Sequence, residues 1–333
     1  MQVMPEPKDV IRSPDQGVGL PGPIRSAGHR RWPAPDRRGG WPDEARGGRM
    51  AGNSSTSPID GVETIASHVT LTGAGFGHRP RHDFAARCAA AGAAGFDGVG
   101  LHAADPVFDD GDAEGLRRIR QALDTSGVRL MEIEFLIGWT GGTLEADHAS
   151  IRRLLALAEA FSPHHVTAGT LDPGPVDIEG ASRSLSELGF RFGEFGTRVA
   201  VEGFAWSGLG DPRRWREVVH RCPSPWVGFM IDTWHFRNGD GAEDGALDLL
   251  ADRIAAVQLN DGRVVASDHM RHAREERHLP GEGVLRPRSL AHALRERGYD
   301  GPWAVESCDA WLQNAPVEEA ASAAFDALTA AVG

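Results

Sequence analysis

Four apolar runs in this chain, each too short for a helix, end in a side chain able to bind metal. They read VAVEGF (Glu202), GFMIDTWHF (Asp232 and His235), AAVQLND (Gln258) and PWAVES (Glu306). Short runs rich in Val, Ile, Phe and Trp read as buried strands. In a parallel α/β barrel the C-terminal strand ends face one mouth, where the active site forms. Three carboxylates buried together need a cation, because an unpaired buried charge is very costly. Asp232 supplies a hard anionic oxygen and Gln258 a neutral one, a donor set for one divalent ion. Mn²⁺ is the first choice, with Mg²⁺, Co²⁺, Fe²⁺ or Zn²⁺ as alternatives. Glu202 and Glu306, on opposite sides of that ion, are placed to act as base and acid on a substrate. His235 either joins the metal or contacts a substrate oxygen. The competing readings are an ion pair with arginine for Glu202, a capping or exposed ring for His235 and a backbone-bonded core amide for Gln258.

Further candidates lie near other strand ends. Arg277 and His278 precede a Pro-Gly turn in ERHLPGEG, and a guanidinium held there would grip an anionic or polyol oxygen. Glu134 and Trp139 in EIEFLIGW, and His102 in GVGLH, are placed to line a substrate pocket. Asn260 and Asp261 read as loop entry. The segment DHMRHAREER reads as a mobile loop that would form a lid.

Strand and helix patterns alternate strictly. Strands are expected at 68–73, 97–102, 129–136, 164–169, 198–204, 227–234, 254–260 and 302–307. Helices are expected at 83–94, 113–126, 146–161, 178–196, 211–221, 246–253, 286–297 and 317–332. Eight such units predict a closed (β/α)8 TIM barrel. An open doubly wound sheet is the alternative, but GAGFGH (73–78) matches a dinucleotide turn only in part.

Composition sets the rest. Residues 1–57 hold 8 of the 21 prolines and 9 of the 42 glycines and lack any apolar period. They are expected to be a disordered N-terminal extension, or an upstream segment with translation starting at Met50. Residues 58–333 are then one barrel domain. The chain carries a formal charge of −12, which argues against a nucleic-acid partner. No apolar run reaches the roughly 20 residues of a membrane span. Three widely spaced cysteines suggest a reduced, cytoplasmic protein without disulfides. Assembly into a homo-oligomer is left open.

The segments VAVEGFAWSGLGD, MIDTWHF, VQLNDG and RHLPGEGVLRPRSLAHALRERGYDGPWAVES resemble the sugar phosphate isomerase/epimerase superfamily, the xylose isomerase-like barrels, over about residues 67–330. The resemblance implies a single divalent metal held by Glu202, Asp232, Gln258 and Glu306, with His235 and Arg277 on the substrate. It implies an isomerase or epimerase that acts on a keto sugar or keto-cyclitol through an enediolate. The family usually has His where Gln258 stands. Its bacterial dehydroshikimate dehydratases share the Gln, so a lyase of the dehydroshikimate or inosose type is the alternative. The endonuclease IV branch needs more histidines than these strand ends offer. A non-catalytic sugar-binding barrel is the reading from another class.

Overall fold

The computed structural model describes residues 61–141, 149–239 and 244–333. The extension expected at 1–57, the first residues of the expected domain and the start of the helix expected from Ala146 lie outside the described residues. Eight parallel strands close into a barrel in sequence order, β1 pairing with β8. They are β1 (Thr64–Ala66), β2 (Gly98–His102), β3 (Arg129–Leu136), β4 (His165–Ala168), β5 (Arg198–Glu202), β6 (Val227–Asp232), β7 (Ile254–Leu259) and β8 (Trp303–Val305).

The strands are short and apolar because helices cover them outside and packed side chains fill them inside, so neither face needs polar alternation. The helices are α1 (Phe84–Ala94), α2 (Asp112–Ser126), α3 (Ala149–Phe161), α4 (Ile178–Gly193), α5 (Pro212–Arg221), α6 (Thr233–Asn238), α7 (Leu247–Leu250), α8 (His269–Glu275), α9 (Pro287–Glu296) and α10 (Val317–Val332). Local chemistry sets their ends. Asp83 accepts the Ala86 N–H at 2.8 Å and Asp211 the Arg213 N–H at 2.9 Å, and Pro212 pre-sets the first turn of α5. α1 stops at Gly95, whose φ of +107° suits glycine. Among the described residues no helix is long and apolar enough to cross a membrane.

Strand 1 is a correction. The alternation in HVTLTG predicts a strand at 68–73, but the strand is Thr64–Ala66 and His68–Leu71 is a 3-10 turn. Tertiary pairing overrides the local pattern: Ile65 registers with Gly98 on one side and Ala304 on the other. The Thr70 hydroxyl donates to the Val305 carbonyl at 3.0 Å and so holds the turn onto the end of β8. The shift brings His68 to the mouth. Two further segments differ from expectation. His235 lies in α6 rather than at a loop start. His269–Glu275 forms α8, whose Ala273 packs with Trp234 and Leu285.

The barrel interior is apolar at its base, where Ile65, Met131 and Ala304 form one cluster and Ala200, Met230, Ala255 and Ala256 another. The register of β2 against β3 shifts at Val99/Gly100. Above that shift Glu132 enters the interior, bonded to Ser67 and Gln258.

Candidate metal and substrate site

Each strand delivers its polar residue by the same logic: an apolar run is buried to its end, and the last inward position opens on the mouth. Glu202 and Asp232 close β5 and β6, Gln258 is the penultimate residue of β7, and Glu306 follows β8. The Glu306 N–H still bonds the Leu259 carbonyl at 3.1 Å. All four are buried, and one hydrogen-bonded group joins three of them to Arg277 and His235.

Asp232 is the best-held carboxylate. One oxygen accepts the His235 backbone N–H at 2.9 Å, capping α6. The other accepts Nδ2 of Asn260 at 2.6 Å and faces Arg277 Nη1 at 3.4 Å. Asn260, read from sequence as loop entry, therefore positions a site carboxylate; its own carbonyl oxygen accepts the Trp234 N–H at 2.8 Å. Asp261 keeps a loop role, accepting the N–H groups of Gly262, Gly281 and Leu285.

Glu306 is engaged at both oxygens: Oε1 accepts Gln258 Nε2 at 3.2 Å, and Oε2 pairs with Arg277 Nη1. Glu202 is the opposite case. Its Oε1 is buried without a hydrogen-bond partner among the described residues, and His235 Nε2 stands 3.6 Å away, beyond bonding reach. Burial first, and then Asp232 beside it, raises the Glu202 carboxyl well above the usual carboxylate range. Burial also raises Asp232, against the pull of Arg277.

Gln258 is fully buried, and its Nε2 also reaches Glu132 Oε2 at 3.2 Å. Its Oε1 has no hydrogen-bond partner among the described residues. Glu132 is the residue that strand-end reasoning missed. It sits within β3, 0 % exposed, accepting from Ser67 Oγ at 3.1 Å and facing His165 Nε2 at 3.3 Å. Gly100 makes room for it, since a Cβ there would meet Glu132 Oε1 at 2.5 Å. A glycine in β2 opposite a glutamate in β3 was the available signal.

Arg277 is bridged to Cys308 through the backbone, and its guanidinium lies 5.1 Å from the centre of the Phe76 ring. Its Nη2 is 2.9 Å from His235 Nε2. Burial and Arg277 hold His235 well below the usual imidazole range, so the ring is neutral. Phe204 and Trp206 flank it, with ring centres 4.7 and 5.0 Å away.

Among the other expected residues, Glu134 is buried at the mouth. Burial and nearby Glu132 push its carboxyl to about 8, so it is protonated at neutral pH. His102 ends β2 and registers with Glu134. Trp139 is fully buried in the main core, and its indole N–H donates to the Gly169 carbonyl at 3.0 Å; no hydrogen bond or ring contact joins it to the cluster among the described residues. His278 pairs with Asp309 at 2.9 Å.

The donor set fits a hard cation. Glu202, Asp232 and His235 offer ligand atoms within 4.8 Å of one another. Unbonded buried oxygens are rare in native interiors, and here Oε1 of Glu202 and Oε1 of Gln258 both are unbonded.

A family model described as xylose isomerase-like TIM barrel matches residues 88–331. A 3-dehydroshikimate dehydratase of Pseudomonas putida is 23% identical over 237 residues, which cover 69% of this chain and 37% of that protein. The chain thus spans little more than a third of the length of this curated relative. Solved structures share the fold. An IOLI protein with a bound zinc atom superposes with a TM-score of 0.68 at 17% identity, covering 81% of this chain and 98% of that one. A D-allulose 3-epimerase from Methylomonas sp. in complex with D-allulose gives 0.61 at 14% identity, covering 81% and 96%.

Proposed function

The chain belongs to the xylose isomerase-like TIM barrel family, and from that premise we propose that it is a divalent-metal-dependent carbon–oxygen lyase. Its substrate would be a small cyclic polyol bearing a ketone, which loses the proton beside the ketone and then a β-hydroxyl as water. The observation that carries this reading is the unequal engagement of two strand-end carboxylates. Glu306 is tied at both oxygens, while Glu202 keeps Oε1 free. One disengaged carboxylate and one carboxylic acid supply the base and the acid that β-elimination needs.

The residues that would hold the ion are Glu202, Asp232, Gln258 and Glu306. When bound, the ion acts as a Lewis acid on a carbonyl oxygen and makes the neighbouring C–H more acidic. Glu202 takes that proton. Glu134, protonated in its buried setting, gives its proton to the departing hydroxyl as the carbon–oxygen bond breaks. Arg277 and His235 orient the substrate oxygens, and Phe76, Phe204 and Trp206 exclude water. Similarity to the 3-dehydroshikimate dehydratase of Pseudomonas putida supports this class. Isomerisation or epimerisation of a keto sugar is the second reading, favoured by two buried glutamates, Glu202 and Glu306, at the ends of β5 and β8.

The test incubates Mn²⁺-loaded protein with keto-cyclitols and keto sugars in D₂O. The lyase reading expects loss of one water by mass spectrometry. Deuterium gain at constant composition would replace it with the isomerase reading. Protein that binds no divalent metal and turns over nothing would leave a sugar-binding barrel.

A further inference from the structure

Proton transfer by Glu202 and Glu134 leaves the ends of β1 and β2 without a role, yet they carry a built arrangement. His68 Nδ1 faces two donors: an N–H of the Arg87 guanidinium at 3.1 Å and the backbone N–H of His102 at 3.3 Å. Arginine has no acceptor to offer, so Nδ1 of His68 carries the lone pair and the ring proton sits on Nε2. His102 is committed in the same sense, because its Nδ1 accepts the Ala104 N–H at 3.0 Å. Neither Nε2 has a hydrogen-bond partner among the described residues.

The lock behind His68 is rigid. Arg87 comes from α1 and pairs with Asp105 from the loop after β2, and the two side chains are only 3% and 1% exposed. Asp105 in turn accepts the Val107 N–H at 2.9 Å, which fixes its own direction. The two imidazoles lie side by side, ring centres 5.6 Å apart. Burial and Arg87 hold His68 neutral, and burial lowers His102 as well.

We infer that His68 and His102 form a paired N–H donor subsite for an acceptor-only oxygen of the substrate, with Arg87 and Asp105 as the positioning residues that fix the His68 tautomer. The group received is a carboxylate or a ketone, either of which accepts from two N–H donors and offers none in return. The subsite lies on the β1–β3 side of the mouth, next to Glu134 and across from the β5–β8 carboxylates. It rests on reading the mouth as an enolising site, and it orients the substrate so that the reacting C–H faces Glu202.

The test uses the ¹⁵N-labelled full chain loaded with Mg²⁺, with His68→Gln and His102→Gln to assign the ring signals. Both rings are expected as the Nε2–H tautomer, and Arg87→Gln is expected to mix the tautomers of His68 alone. Titration with shikimate, which carries a carboxylate and no ketone, and with scyllo-inosose, a ketone without carboxylate, separates the two acceptors. The probe that binds should shift both Nε2 resonances. His68→Phe should weaken that probe about tenfold, while His68→Gln, which restores an N–H near the same place, should stay close to wild type. An Nδ1–H tautomer in either ring, binding that leaves both rings unshifted, wild-type affinity in His68→Phe, or no binding of either probe each overturns the inference. None of these readouts needs turnover, so failure of the lyase reading and failure of this subsite are told apart.

Discussion

The β5–β8 side of the mouth and the β1–β3 side are built on opposite electrostatic plans. On the first, Glu202, Asp232 and Glu306 gather around one guanidinium, and Oε1 of Glu202 and of Gln258 is left unbonded. On the second, two neutral imidazoles and a carboxylic acid present N–H and O–H groups without net charge. The difference follows from what each side can neutralise. Arg277 reaches Asp232 and Glu306 but not Glu202 within bonding distance, so the charged side is under-compensated and suited to a cation. Arg87 is already spent on Asp105, so the groups presented there, His68, His102 and Glu134, are uncharged and suited to holding a polar substrate, beside the Glu132 carboxylate buried within β3.

The strongest way to break this contrast is to exchange the roles of its carboxylates. Glu202→Gln keeps a ligand oxygen but removes the proton acceptor, and kcat should fall about 10³-fold with metal still bound. Glu306→Gln should also abolish turnover while the barrel stays folded. Its signature should differ, because Arg277 loses its short partner and metal affinity drops. Steady-state kinetics alongside metal analysis separates the two. Equal metal affinity and equal activity in both variants would erase the asymmetry on which the lyase reading stands.

Gln258 is the next largest lever. Gln258→Leu removes the amide that donates to Glu132 and Glu306. Two buried carboxylate oxygens would lose a donor, at about 1–3 kcal/mol each, and affinity for the metal should fall about 10- to 100-fold. Isothermal titration with Mn²⁺ reads the second effect and denaturant unfolding the first. Unchanged Mn²⁺ affinity would show that the amide is a core group and not a ligand.

The two sides also differed in how far the sequence disclosed them. Glu202, Asp232, Gln258 and Glu306 stood out because a buried parallel strand is almost wholly apolar, so a polar residue at its end is conspicuous. The barrel followed from the same alternation of runs. His68 was hidden because H-V-T-L-T mimics a strand, whereas the true β1 is three residues held by its neighbours' register. Glu132 was hidden inside RLMEIEFL, where alternation reads as ordinary; only the space above Gly100 shows why a carboxylate fits there. Asn260 looked like loop entry because its partner, Asp232, is 28 residues away.

A pH experiment sharpens the neutral side. The Glu134 carboxyl is raised from 4.5 to about 8 in the folded chain. The folded state therefore keeps a proton that the unfolded state has lost. Stability from this group is full below about 4.5 and declines as pH rises towards about 8, at up to about 1.4 kcal/mol per pH unit. Metal-free Glu134→Gln should lack that part of the slope. Parallel curves of Tm against pH for wild type and variant would mean that Glu134 is ionised at neutral pH and supplies no proton at the mouth.

The smallest effect concerns what connects the two sides. Ser67, directly after β1, donates to Glu132, which accepts from Gln258, which donates to Glu306. This chain runs through the barrel interior from the end of β1 by way of β3 and β7 to the end of β8. Ser67→Ala removes its first link and should cost about 1 kcal/mol of stability, with a shift in metal affinity smaller than that of Gln258→Leu. The informative quantity is the coupling between the two substitutions in a double-mutant cycle. Residues 67 and 258 are linked mainly through Glu132, since the Gln258 Nε2 to Ser67 Oγ contact is 3.5 Å. A coupling energy above about 0.5 kcal/mol would mean that Glu132 transmits the state of one side to the other. Strict additivity would mean that the two sides are independent sites that share only a barrel.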